Sequence, residues 1–128
     1  MAKDFAACMI AVAAFFFTAP AVAQAYPSRP ITIIVSTTPG TGIDTLARAI
    51  GQKLIERWNI GVAVENRPGA SGNIAADFVS RAAPDGYTLL TAPTSFLTNT
   101  ALNRNINFDP VTSFTPVSLL ATGTLAWW

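Results

Sequence analysis

The residues with usable chemistry sit in two short loops, Thr37 to Asp44 and Gly69 to Asn73. In the first, Thr37, Thr38 and Thr41 bring hydroxyls, Gly40 and Gly42 bring backbone freedom, and Asp44 brings a carboxylate. In the second, Gly69 and Gly72 flank Ser71, and Asn73 follows. Glycine lets a backbone approach a ligand closely and adopt positive φ. Each loop runs into an expected helix, whose first N–H groups lack internal partners and carry partial positive charge. Two such termini aimed at one crevice make a site for an anion, above all a carboxylate. Neither loop holds a lysine or a Gly-Lys-Ser/Thr run, so a small carboxylate fits better than a polyphosphate. The plainer alternative is that a tight strand-to-helix turn needs glycine for its own sake. Thr94 and Ser95 follow the third expected strand. They either cap the next helix or turn a hydroxyl to the same crevice.

Other chemistries are excluded by residue type. The chain has no histidine, which removes His-based metal sites and His-dependent acid–base catalysis. Its one cysteine, Cys8, lies in an expected export segment, so the mature part has neither disulfides nor thiolate chemistry. No Ser–His–Asp, Cys–His or metal cluster can be assembled, and an enzyme is disfavoured. Gly40-x-Gly42 with a later acid, Glu65, invites a dinucleotide reading. Thr45 stands where that fingerprint needs a third small residue, which weakens it. Asp44 reads first as a charge at the positive end of a helix dipole. Its other reading is a group that orders the loop or accepts a hydrogen bond from ligand or water. Arg67 is expected to pair with Glu65 at the surface.

Alternating elements must position these loops. Ile31–Val35 is short, apolar and β-branched, as a strand buried on both faces should be. From Ile43 to Trp58, Ile43, Leu46, Ala47, Ile50, Leu54, Ile55 and Trp58 draw one apolar stripe of helical period. Thr41 is its expected N-cap, and Asn59 and Gly61 its stop. Val62–Val64 is a second strand. Asn73–Ala82 is a second helix, with Ile74, Phe78, Val79 and Ala82 expected inward. Tyr87–Leu90 is a third strand and Ser95–Leu102 a short helix. Phe108-Asp109-Pro110 is a turn, and Val117–Leu120 is expected as a fourth strand. Strand–helix–strand–helix–strand implies right-handed crossovers and an open parallel sheet, α/β in class, with ligands beyond the carboxyl ends of the strands.

The N-terminal stretch is of another kind. After Lys3 and Asp4, the run from Phe5 to Phe17 is uncharged, and Pro20 precedes Ala21-Val22-Ala23-Gln24-Ala25. A short charged start, an apolar core and an Ala-x-Ala end make a secretory signal peptide, residues 1–25, with cleavage preferred after Ala25. An uncleaved anchor is the rival, but the run falls short of the ~20 residues of a spanning helix. The whole chain of 128 residues is 51% hydrophobic and 12% charged, with a formal charge of +1. That balance carries no basic surplus for a nucleic acid and no disordered charged tail.

One resemblance runs through the chain in order. It is carried by Tyr26-Pro27-Ser28-Arg29-Pro30-Ile31, by Pro39-Gly40-Thr41-Gly42-Ile43-Asp44 and by Glu65-Asn66-Arg67-Pro68-Gly69-Ala70-Ser71-Gly72-Asn73. It continues through Ala83-Pro84-Asp85-Gly86-Tyr87-Thr88-Leu89-Leu90, Phe108-Asp109-Pro110-Val111 and Phe114-Thr115-Pro116-Val117. From Tyr26 to about Gly123 the sequence resembles the Bug receptors, the extracytoplasmic substrate-binding proteins of tripartite tricarboxylate transporters. The resemblance implies a type II periplasmic-binding-protein-like fold, two α/β lobes closing on a small carboxylate, with a membrane permease as partner and no cofactor. It implies ligand contacts from Thr37, Thr38, Gly40, Thr41, Gly42 and Asp44, from Gly69, Ser71, Gly72 and Asn73, and from Thr94 and Ser95. It also implies a periplasmic location. The sequence departs from the family at Ser36 and Thr37, where a proline and a bulky apolar residue are usual, at Thr41, where a third glycine is usual, and at Thr100, where a proline is usual. Family members are more than twice as long. Residues 26–128 are therefore expected to be the N-terminal part of lobe one with the second lobe missing, or else a remnant that binds nothing.

Overall fold

The computed structural model describes residues 25–102 and 106–122. The expected export segment up to Gln24, with Cys8, and the closing Leu125–Trp128 lie outside the described residues. Among the described residues, three strands and three α-helices alternate: β1 Ile31–Val35, α1 Gly42–Trp58, β2 Val62–Asn66, α2 Asn73–Ser80, β3 Thr88–Thr91 and α3 Ser95–Leu102. A single 3₁₀ turn, Ala70–Gly72, precedes α2. The strands form one parallel sheet in the order β2-β1-β3.

The central position of β1 follows from its composition. A strand flanked on both sides and covered on both faces has no polar exposure, and Ile31, Ile33, Ile34 and Val35 are all buried. Ile31, Ile33 and Val35 point to one face and pack with Ala47 of α1, together with Val62, Val64 and Leu89 from the neighbouring strands. Each such isoleucine stabilises the fold by roughly 1.5–3 kcal/mol relative to exposure. Gly51 lets α1 lie close to β2, since a methyl group there would touch Val62 and Val64 at 3.4 Å. On the other face Ala76 of α2 packs with Phe96, Phe108 and Leu90. The rings of Phe96 and Phe108 stack, and Phe114 meets both edge to face, with centroids 5.7–6.1 Å apart. The expected turn at Phe108–Pro110 is present, tightened by Asp109, whose Oδ1 accepts from the N–H groups of Val111 and Thr112.

Two expectations are corrected. Val117–Leu120 is not a strand: it carries no sheet pairing, and Val117 and Leu119 are 81% and 78% exposed. A strand needs a neighbour with free backbone groups, and nothing in the three-stranded sheet places β2 or β3 beside this segment. The inner face of α2 is also different. Ala75 and Ala76 are fully buried, whereas Ile74 and Phe78 are 52% and 41% exposed. Small residues let this short helix lie close on the sheet, which turns its larger side chains outward.

The amino ends of the strands are tied by aromatic and polar contacts. Tyr26 donates its hydroxyl to the Gly86 carbonyl at 2.8 Å and meets the rings of Tyr87 and Trp58. Arg29 pairs with Asp85 and lies over the Tyr87 ring. The opposite, carboxyl end of the sheet is where every strand passes into a helix. Among the described residues no helix is long and apolar enough to cross a membrane.

Candidate functional site

Three loops meet the carboxyl edge of the sheet: Ser36–Thr41 after β1, Arg67–Gly72 after β2 and Ala92–Thr94 after β3. Each delivers the N-terminus of a helix to that edge, which is what the order of elements requires. The loops are joined to one another at their roots. The Ser36 N–H donates to the Thr91 carbonyl at 3.2 Å, and the Arg67 N–H to the Val35 carbonyl at 2.9 Å.

The first loop is held by a polar lock. Thr41 is the N-cap of α1, as expected, and its Oγ1 accepts from the Asp44 N–H at 3.3 Å. That hydroxyl also lies 2.7 Å from Thr37 Oγ1 and 3.1 Å from the Thr38 carbonyl, to which it donates. Gly40 adopts φ +85 and directs its N–H to Asp44 Oδ2 at 2.9 Å. Asp44 is only 3% exposed. Its Oδ1 accepts from Asn66 Nδ2 at 2.8 Å, and its Oδ2 from Arg48 Nε at 3.1 Å. Arg48 reaches on to Asn66 Oδ1 at 2.8 Å, and Asn66 donates to the Thr37 carbonyl at 3.0 Å. Hydrogen bonding from Arg48, then from Gly40 N–H and Asn66, lowers the Asp44 carboxyl from 3.8 to about 2.

Asp44 stands in the first turn of α1, where its charge suits the helix dipole, and it is at the same time a buried acceptor that orders the loop. Two members of the lock, Arg48 and Asn66, were absent from the residues expected at the site. Arg48 had a readable signal, since it follows Asp44 by one helical turn and so shares its face. Asn66 had none until the strands were paired, because its position opposite Val35 in the ladder brings it to the first loop.

The second loop is held by conformation. Gly69, Ala70, Ser71 and Gly72 have φ of +124, +46, +57 and +94 in succession. The Gly72 N–H closes this turn on the Gly69 carbonyl at 2.9 Å. Gly72 is buried against the first loop: a methyl group on it would stand 3.3 Å from Ser36 Cβ. Ser71 is exposed on the turn and Asn73 half-buried at the start of α2. Arg67 pairs with Glu65 at 3.3 Å, as expected, and its guanidinium also lies 3.7 Å over the Phe78 ring.

The third loop brings Thr94 and Ser95 to the head of α3, both exposed. The Phe96 N–H is closed on the Pro93 carbonyl at 2.9 Å, and α3 packs against the Ala70–Gly72 turn. Thr38 and Gly42 are exposed on the same side as the first loop. The site residues named from the sequence thus lie on the loops and first helical turns at one sheet edge, where Gly40, Thr41 and Asp44 are already bonded within the lock. Such a surface offers donors to an anion. Among the described residues no group of three or more His, Cys, Asp or Glu side chains gathers to hold a metal ion.

The parallel sheet with helix N-termini at one edge is part of a periplasmic-binding-protein fold. MatC from Rhodopseudomonas palustris, solved with bound malate, superposes with a TM-score of 0.63 at 35% identity, covering 74% of this chain and 33% of that one. A second R. palustris protein, solved with adipate, is 41% identical, with a TM-score of 0.50 over 52% of this chain and 22% of that one. The chain belongs to the tripartite tricarboxylate transporter family receptors, whose family model matches residues 46–127. Among curated relatives, a UPF0065 protein of Bordetella bronchiseptica is 40% identical over 77% of this chain. BugT of Bordetella pertussis is 35% identical over 87%. The chain spans 30% and 35% of the length of these two relatives.

Proposed function

We propose that this chain takes part in capturing a small carboxylate outside the cytoplasm and presenting it to membrane permease subunits of a tripartite transporter. The observation that carries this reading is the delivery of three helix N-termini and their hydroxyl-bearing loops to one sheet edge. Support comes also from two solved relatives, one with bound malate and one with adipate. Residues 1–25 act as the export signal and place the receptor in the periplasm. Residues 26–128 form the N-terminal part of the first lobe. Thr37, Thr38, Gly40, Thr41, Gly42, Gly69, Ser71, Gly72, Asn73, Thr94 and Ser95 face the ligand. Asp44 stands behind them: a buried carboxylate would repel a ligand carboxylate set directly against it, so it acts by ordering Gly40 and Thr41.

Calorimetry of the 128-residue chain against a panel of small carboxylates, malate and adipate included, tests the reading. Saturable binding of at least one panel member is expected. A second reading is that these residues bind nothing by themselves. It is favoured by the exposure of Val117, Leu119 and Leu120, apolar side chains that a binding-competent domain would ordinarily cover. A panel without a single saturable heat would establish that reading and sink the first.

A further inference from the structure

At the pole away from the loops, the arm before β1 is fastened to the lead-in of β3 through one exposed turn, Pro84-Asp85-Gly86. Tyr26 donates its hydroxyl to the Gly86 carbonyl at 2.8 Å, and Arg29 pairs with Asp85 Oδ2. Asp85 Oδ1 accepts from the Tyr87 N–H at 3.1 Å. These contacts set both residue types. Gly86 holds φ +80, and a methyl group on it would stand 3.1 Å from the Tyr26 hydroxyl oxygen and 3.4 Å from its ring. A short carboxylate at 85 is what Arg29 and the Tyr87 N–H share. The fold therefore imposes an aspartate followed by a glycine, and it leaves both exposed.

An aspartate before a glycine carries a chemistry of its own. With no side chain on the following residue to crowd it, the glycine nitrogen attacks the aspartate Cγ. A new N–C bond forms and a carboxyl C–O bond breaks. The oxygen leaves as water, with the amide proton and the carboxyl proton, and a cyclic imide remains. Water then opens the ring at either carbonyl. One opening restores aspartate, and the other leaves isoaspartate, whose main chain runs through the former side chain. Water is the only co-reactant. Among the described residues the Gly86 N–H donates no hydrogen bond, so the nucleophile is unengaged. The electrophile is restrained instead, one carboxylate oxygen by the Tyr87 N–H and the other by Arg29. We infer that Asp85–Gly86 is a site of spontaneous isomerisation to isoaspartate, and that Arg29 is the brake on it. Conversion adds a methylene to the main chain of the turn and moves the carboxylate, so the arm carrying Tyr26 and Arg29 loses its hold there.

The full chain is incubated for weeks at neutral pH beside a synthetic peptide of residues 82–104, in which Asp85 is the sole aspartate. Isoaspartate is read by enzymatic methyl transfer from S-adenosylmethionine to the new carboxylate, and located by electron-transfer fragmentation of the tryptic peptide. Wild type is expected to accumulate isoaspartate at 85, more slowly than the free peptide. Arg29→Ala is expected to convert about two- to fivefold faster than wild type, the span that a partly exposed ion pair supports. Arg29→Lys, which keeps a charge at 29, should fall between the two, and Asp85→Glu should abolish the signal at this position. A circular-dichroism melt accompanies each protein. A wild type free of isoaspartate at 85 overturns the site, whatever the peptide does. A wild type as fast as the peptide, or Arg29→Ala no faster than wild type, overturns the brake. Should Arg29→Ala prove unfolded, Arg29→Lys decides in its place, and a rate no higher than wild type's rejects the role of Arg29.

Discussion

The loops after β1 and β2 do the same job by opposite means. The first is fastened by side chains: Asp44, Arg48 and Asn66 satisfy one another and the backbone of Thr37 and Gly40. The second is shaped by four successive left-handed residues, and the buried Ser36 Oγ and Asn73 Oδ1 at its border are left unpaired. A polar lock is rigid because each group's loss leaves others unsatisfied. A strained turn is held by packing and can relax when something better is offered. Within one sheet edge, the first loop is thus fixed by side chains and the second by backbone conformation.

The sharpest way to break the comparison is Asp44→Ala. It strands the Gly40 N–H, Arg48 and Asn66 together, so the fall in melting temperature should exceed that of any single change in the second loop. A smaller fall than for Gly72→Ala would mean that the lock is decoration. The pH dependence has a definite sign. The Asp44 carboxyl is lowered from 3.8 to about 2, so its contribution is present above 3.8 and lost as pH falls toward 2. Asp44→Asn should flatten that part of the acid-unfolding curve relative to wild type. Next in size is Gly72→Ala, with a φ of +94 and a 3.3 Å approach to Ser36 Cβ. It should cost about 1–3 kcal/mol in urea unfolding. An unchanged midpoint would show that the turn is freer than its φ values imply. The smallest effect belongs to Arg67→Ala, which removes the guanidinium over Phe78. A partly exposed pair of this kind is worth about 0.5–1 kcal/mol by the same measurement.

Much of the frame was legible because burial and period agree. The apolar run of β1 announced a central strand, and Ile43, Ala47 and Leu54 of the α1 stripe do face the core, with Thr41 capping the helix as expected, while Trp58 at its end is exposed. The misreadings have physical causes. In α2, hydrophobicity pointed to Ile74 and Phe78, but close packing on the sheet selected Ala75 and Ala76. Val117–Leu120 has strand composition, and composition supplies no pairing partner. At the site, residue types identified the loops but not what ties them. Asp44 with Arg48 is a local spacing, whereas Asn66 enters only through its register with Val35. Ser36 stands out in the sequence only as a departure from the family's usual residue; that its hydroxyl is buried and unpaired appears only in the fold.

The strand order has a consequence for how the molecule opens. With β1 between its two neighbours, the amides of Ile33 to Val35 are the last that thermal fluctuation can expose, while the outer backbone of β2 and β3 exchanges with solvent first. The first loop is therefore anchored to the slowest-exchanging segment of the fold. Partial unfolding from either side would peel away the second or third loop and leave the polar lock's root intact until global opening.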